Sequence, residues 1–160
     1  MRVGFTGTQR GMTSVQVKAL RRVLASLRTA GFPVTELHHG DCVGADAQAH
    51  ALWTLGAPER PVVIHPPTLA LKRAWCRSGR TTVLRPAPYL TRNRAIVDAT
   101  WLLCACPAQL DGEALSSGTW STVRYARRIE RAVAIVRPDG RVEWERWEGA
   151  LDIRSLRGAP

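Results

Sequence analysis

Residues 101 to 126, WLLCACPAQLDGEALSSGTWSTVRYA, decide the fold. The stretch opens on an unbroken apolar run closed by Pro107, and it ends in a helix-like run entered through the small, hydroxyl-rich SSGT of 116 to 119. An apolar run without alternation reads as a strand covered on both faces. A proline cannot donate to a ladder, so Pro107 marks where that strand leaves its sheet. Outward from this strand-loop-helix unit the same pattern recurs: RVGFTG at 2 to 7, PVTELHHG at 33 to 40, PVVIHP at 61 to 66, TTVLRP at 81 to 86 and AVAIVRP at 132 to 138 are short apolar runs separated by helical segments. Such alternation predicts an α/β chain: one Rossmann-like, doubly wound domain with a mainly parallel sheet of about six to seven strands and helices on both faces.

The intervening segments support this. Val17, Leu20, Val23, Leu24 and Leu27 recur at helical spacing, and Gly31 and Pro33 end that helix. GADAQAHALWTLGA, from 44, and YLTRNRAIVDAT, 89 to 100, read as further crossover helices. The segment 67 to 80 holds a short helix at most, with a glycine-marked loop. Past Pro138, Asp139-Gly140 reads as a turn and RVEWERW as a terminal strand that places Trp144 and Trp147 on opposite faces. Residues 1 to 160 form one domain, 138 to 150 being a strand and turn extension and 154 to 160 a frayed end.

At 160 residues, 45% hydrophobic and 22% charged, the chain has the composition of a soluble globular domain. No apolar stretch reaches the roughly 18 residues of a membrane span, and MRVGFTGTQRG lacks the apolar middle of a secretory signal, so a cytoplasmic location is expected. The formal charge of +10, carried by 21 arginines and two lysines, favours polyanionic partners and equally fits a GC-rich genome. The four cysteines lack paired spacing and read as reduced thiols, and the four histidines join no cluster at ligand spacing, so no metal and no cofactor is expected.

In an open parallel sheet ligands bind beyond the carboxyl ends of the strands. Three loops there are rich in glycine or hydroxyls and precede helices: TGTQRG at 6 to 11, HGDCVGAD at 39 to 46, and SSGT. Glycine lets the backbone approach an anion, and the free N–H groups of a helix N-terminus bind phosphate oxygens. Each loop alone is equally an ordinary helix cap. Arg10 and Arg92 are candidate phosphate partners with Asn93 beside the second, and Asp46 either caps its helix or accepts from a ribose hydroxyl. Trp120, next to the last loop, is a candidate for stacking on a base.

GFTGTQRGMT, HHGDCVGADAQAH, RNRAIVDAT and SSGTWSTVRYAR, in that order over roughly residues 2 to 137, resemble the SLOG superfamily, named for the Smf/DprA DNA-processing proteins and the Lonely Guy phosphoribohydrolases; the likeness is nearest to its small stand-alone bacterial and phage members. The resemblance implies a Rossmann-like fold that binds a nucleotide or nucleotide-derived ligand. Motif by motif it implies contacts from Gly7, Thr8 and Arg10, from Gly40, Gly44, Ala45 and Asp46, from Arg92 and Asn93, and from Ser117, Gly118 and Thr119; Asp41, Ser116 and Trp120, within or beside the same loops, are further candidate contacts read from the residues themselves. One departure matters: Thr122 stands where the Lonely Guy GTxxE motif carries its glutamate.

Three functions follow. The first is a module that binds a nucleotide, nucleotide sugar or signalling nucleotide without turnover, which accommodates the missing carboxylate. The second is an N-glycosidic phosphoribohydrolase using Asp46 or Glu113 as its acid residue. The third is single-stranded DNA binding along Arg124, Arg127, Arg128 and Arg131, which form a helical stripe. A homo-oligomer is the expected assembly.

Overall fold

The computed structural model describes residues 1–147; the expected frayed end at 154 to 160 and the last part of the terminal extension lie outside them. Seven strands form one sheet: β1 (Arg2–Gly7), β2 (Glu36–His39), β3 (Val62–Ile64), β4 (Thr81–Val83), β5 (Leu102–Cys106), β6 (Ala132–Val136) and β7 (Val142–Glu145). Their order is β4-β3-β2-β1-β5-β6-β7, parallel throughout except for β7, which pairs antiparallel with β6. The crossover helices are α1 (Ser14–Thr29), α2 (Ala45–Thr54), α3 (Tyr89–Asp98) and α4 (Gly118–Arg128). The α/β, Rossmann-like expectation holds. In the segment 67 to 80 the helix shrinks to a single 3-10 turn, Ala70–Lys72.

Side-chain direction alternates along each strand and sorts the core into two layers. Leu102, Cys104 and Cys106 of β5 join Val3, Phe5 and Leu37 beneath α1 and α2. Leu103 and Ala105 point the other way and pack with Val97 of α3 and Trp120, Val123 and Ala126 of α4. The uninterrupted apolar character of β5 is therefore the signature of burial on both faces. The helix after β1 covers one face and the helix after β5 the other, so the winding reverses between these adjacent strands. A crevice belongs at their carboxyl ends.

Gln16 ties this rim together. Thr13 caps α1, with Gln16 completing a capping box, and the buried Gln16 Nε2 donates to Pro107 O (3.0 Å) and Val136 O (2.7 Å) at the ends of β5 and β6. Leucine at position 16 would orphan both carbonyls, and we expect Gln16→Leu to cost about 3 kcal/mol. In urea melts the midpoint should fall with the slope unchanged.

The terminal strand departs from expectation. Arg146 adopts φ 52, which ends β7 at Glu145 and turns the chain, so Trp147 does not extend the strand's alternation. Its ring packs against Trp144 (5.6 Å between centroids) and Phe32 (5.4 Å). Both tryptophans lie on the α1 side of the sheet.

Candidate functional site

The first and second loops close on each other. Ala45 N–H donates to Thr8 O (3.0 Å), and a side chain on Gly44, whose φ is +87, would strike the Gln9 carbonyl. Gly7 abuts Ala45 so closely that a β-carbon there would collide with it. Within the first loop the Thr8, Gly11 and Arg10 amides donate to Cys106 O, Thr8 O and Thr8 Oγ1 respectively. The Arg10 side chain is left exposed.

In the second loop the anion expected on the amides is supplied by the chain itself. The amides of Gly40 and Cys42 both donate to Asp46 Oδ2 at 3.1 Å. Asp46, in the first turn of α2, thus braces the loop before its helix and does not cap the helix itself, and burial raises its pKa to about 6 against the lowering field of Arg92. Asp41, fully buried at φ 58, grips the segment after the 3-10 turn: it accepts from Arg73 Nε (2.8 Å) and from the Cys76 amide (2.9 Å). That carboxylate faces the protein and not an open pocket.

Arg92 stands out. It is 6% exposed and no carboxylate pairs with it among the described residues. Nη2 donates to Cys42 Sγ (2.9 Å), while Nε has no partner. Its guanidinium lies against Gly40, filling the space a side chain there would need. The Tyr89 ring sits 5.3 Å from the guanidinium carbon, and its buried hydroxyl lies beside Cys42 without completing a hydrogen bond. A buried cation satisfied by one thiol is costly unless an anion joins it.

The third loop behaves as expected of a cap and remains open. Ser117 Oγ accepts from Trp120 N–H (3.4 Å), and the amides of Gly118 and Thr119 have no partner among the described residues. Nothing lies near the α-carbon of Gly118, and Ser116 is exposed. Trp120, offered for base stacking, is instead fully buried: its indole N–H donates to Gln109 Oε1 (2.9 Å) and Arg137 covers its ring. Alternation within the helix turns it into the core, so no ring face is left for a base. Glu113 pairs with Arg127 and Arg124. Thr122 donates to Gly118 O (2.8 Å). Asn93 belongs to a cleft between α3 and α4.

The histidines that lacked ligand spacing in the sequence meet in space. Donor atoms of His39, His50 and Cys76 lie within 4.8 Å of one another. The hydrogen bonds fix their protons: Asp41 N–H donates to His39 Nδ1 (3.0 Å), so neutral His39 carries its proton on Nε2 and donates it to His50 Nδ1 (3.0 Å). The lone pair a cation would need on His39 Nε2 is therefore taken. His39 and His50 fit a relay of hydrogen bonds, with the Cys76 sulfur nearby, and the trio does not fit a metal. The relay ends at His50 Nε2, which faces the Arg77 backbone without a completed bond.

Burial holds the histidines neutral, lowering His39 to about 3 and His65, whose ring packs against His38 at 5.2 Å between centroids, to about 4. The unfolded chain takes up protons below about 6.5 while the folded one does not, so stability must fall with pH in this window. The two groups together cost about 3 kcal/mol between pH 6.5 and 5. Asp46 contributes the opposite sign: its raised folded pKa makes it destabilising above about 6 and neutral below about 4. Asparagine keeps an acceptor for Gly40 and Cys42 without the charge. Asp46→Asn should be about 3 kcal/mol more stable than the parent at pH 7.5, the gain vanishing toward pH 4. Melts of both proteins at three pH values check it.

Sequence reasoning missed Arg73, Trp75 and Tyr89, all placed around the second loop. Trp75 is 56% exposed at φ 56 with Arg73 3.9 Å from its ring centroid. The segment has no periodicity, and only its aromatic residues hinted at a role.

Neither a family model nor a curated protein matches the chain. The structure is similar to that of the molybdenum cofactor binding protein from the phototrophic bacterium Rippkaea orientalis, with a TM-score of 0.59 and 18% identity over 85% of this chain and 76% of that one. At that identity the likeness shows the fold alone. Among the described residues, no helix is long and apolar enough to cross a membrane.

Proposed function

We propose that the chain is a SLOG-like module that binds a nucleotide or nucleotide-derived ligand at the carboxyl rim of its sheet without turning it over. One observation carries this reading: the buried guanidinium of Arg92 has an unpartnered Nε and no paired carboxylate among the described residues. A phosphate group is the anion that its fork best accepts. The unspent amides of Gly118 and Thr119, with Ser117, offer a second phosphate contact on the same rim. The exposed Trp75 ring is a platform for a base.

Neither of the two candidate carboxylates is free to serve turnover. Asp46 is spent on two amides and Glu113 on two arginines, while Thr122 occupies the motif position of the missing glutamate. The strand-binding reading is weakened by Arg127, which is held in both nitrogens of its fork by Glu145.

Gentle denaturation of freshly purified protein followed by mass spectrometry tests the reading. A nucleotide or nucleotide sugar in the released fraction is the expected result. The similar fold of a protein that binds a molybdenum cofactor is a reason to include that cofactor in the mass search. Should nothing be released, and should no nucleoside mono- or diphosphate or nucleotide sugar raise the melting temperature, the proposal fails.

A further inference from the structure

Helices α3 and α4 lie side by side on one face of the sheet, and a cleft of about 230 Å³ opens between them. Its polar lining comes from Asn93 and Arg94 of α3 and from Ser121, Thr122, Arg124, Tyr125 and Arg128 of α4. Arg94 and Arg128 have no carboxylate partner among the described residues, and their guanidinium carbons lie 5.5 Å and 5.2 Å from the Tyr125 ring centroid. The Tyr125 hydroxyl donates to Asp98 Oδ1 (2.8 Å), which anchors the ring that both cations cover. Arg124 donates through Nη2 to Leu115 O (2.9 Å), and its Nη1 is buried without a hydrogen bond, 3.6 Å from Glu113. Glu113 is drawn mainly to Arg127.

Three arginines therefore line one small space, and Asp98 and Glu113, the carboxylates that contact lining residues, are each already engaged. Like charges gathered this way repel unless an anion joins them. Asn93 adds an independent pointer: it is 8% exposed, lines the cleft, and its amide makes no hydrogen bond among the described residues. Asn93 Nδ2, the Ser121 hydroxyl and the arginine forks make the lining rich in donors, which is the complement of a tetrahedral oxyanion. The stripe expected along α4 does not continue, because Arg127 turns to Glu145 of β7 and Arg94 of the neighbouring helix completes the cluster in its place. That geometry suits a compact anionic group better than an extended backbone.

We propose that the α3–α4 cleft, which opens one turn beyond Gly118 and Thr119, binds the phosphate group of a small phosphomonoester; its arginines Arg94 and Arg128 play no part in the nucleotide reading, so their substitution tests this site apart from Arg92. Free inorganic phosphate shares this chemistry, and the test separates the two sources. The ¹⁵N-labelled chain is titrated with inorganic phosphate and with glycerol phosphate at constant ionic strength held by chloride, following the Ser121 amide and the arginine Nε–H signals. Saturable shifts of these signals are expected, weakened about tenfold in Arg94→Gln and in Arg128→Gln and unchanged in Arg22→Gln on the exposed side of α1. All three substitutions are at exposed positions, and melts confirm that each variant folds. Tighter binding of the ester identifies a phosphomonoester site, and equal binding identifies free phosphate; either supports the anion chemistry. Shifts that grow linearly, that chloride reproduces, or that survive both arginine substitutions overturn it. So does an oligothymidylate that outcompetes both anions through the same arginines with steep salt dependence, since the cleft would then be part of a strand track.

Discussion

At pH 5, where Asp46 is mostly protonated, Arg92→Met will leave the protein folded, with a melting temperature equal to or above that of the parent, yet it will lose the ligand. The two effects separate because Arg92 contributes little to the fold's own hydrogen bonding: one thiol accepts from it, its Nε is unpartnered, and the rest of its guanidinium rests on Gly40. Methionine fills the same channel beside Tyr89 and removes the desolvation cost of a lone buried cation, and with Asp46 protonated no buried charge is left unneutralised. The affinity lost should be about 100-fold, the worth of a desolvated charge-assisted pair. A second signature comes with it. Arg92 is the main positive field holding Asp46 down, so in the variant the Asp46 carboxyl must titrate above 6. The amount of nucleotide released per mole of protein, set beside the melting temperature, reads both effects. A variant that melts well below the parent while retaining the ligand would mean that Arg92 is structural.

Gly44→Ala should be among the most damaging single-methyl changes at the described residues. Gly44 enters α2 at φ +87 and ψ −124, a conformation that costs a side chain about 1–3 kcal/mol. Its β-carbon would also press on the Gln9 carbonyl, where relief requires parting the first and second loops and breaking the Ala45 to Thr8 hydrogen bond. The sum is about 4 kcal/mol, or a fall of roughly 10–15 °C in melting temperature for a domain of this size. Gly31→Ala is the control. Gly31 also has positive φ, +82, but nothing within 4 Å of the added carbon, so it should lose only about 1 kcal/mol. Equal losses at the two positions would show that backbone strain alone is felt and that the loops are not wedged together.

Why the sheet was legible and the site only partly so follows from what each depends on. Buried parallel strands leave apolar runs in the sequence whatever their neighbours, and prolines at 66, 86, 107 and 138 mark their ends. The pairing of Cys104 with Cys106 on one face needed only a period of two. The roles of loop residues depend on what lies opposite in space. Asp46 was read as capping its helix or meeting a ribose, and its partners turned out to be amides four and six residues earlier in its own loop. Trp120 looked adjacent to the ligand because it is adjacent to Gly118, but one helical step carries it into the core. Arg73 and Tyr89 reach the second loop from segments 31 or more residues away in the chain, a proximity no local spacing records.

The Asp46 carboxylate leaves one more mark on how a ligand would arrive. Because an internal oxyanion already freezes the Gly40 and Cys42 amides in their inward orientation, this turn has nothing left to organise when a guest arrives. Association there should resemble a key entering a rigid lock, with little ordering entropy lost and only a small change in hydrogen-exchange protection across residues 40 to 46.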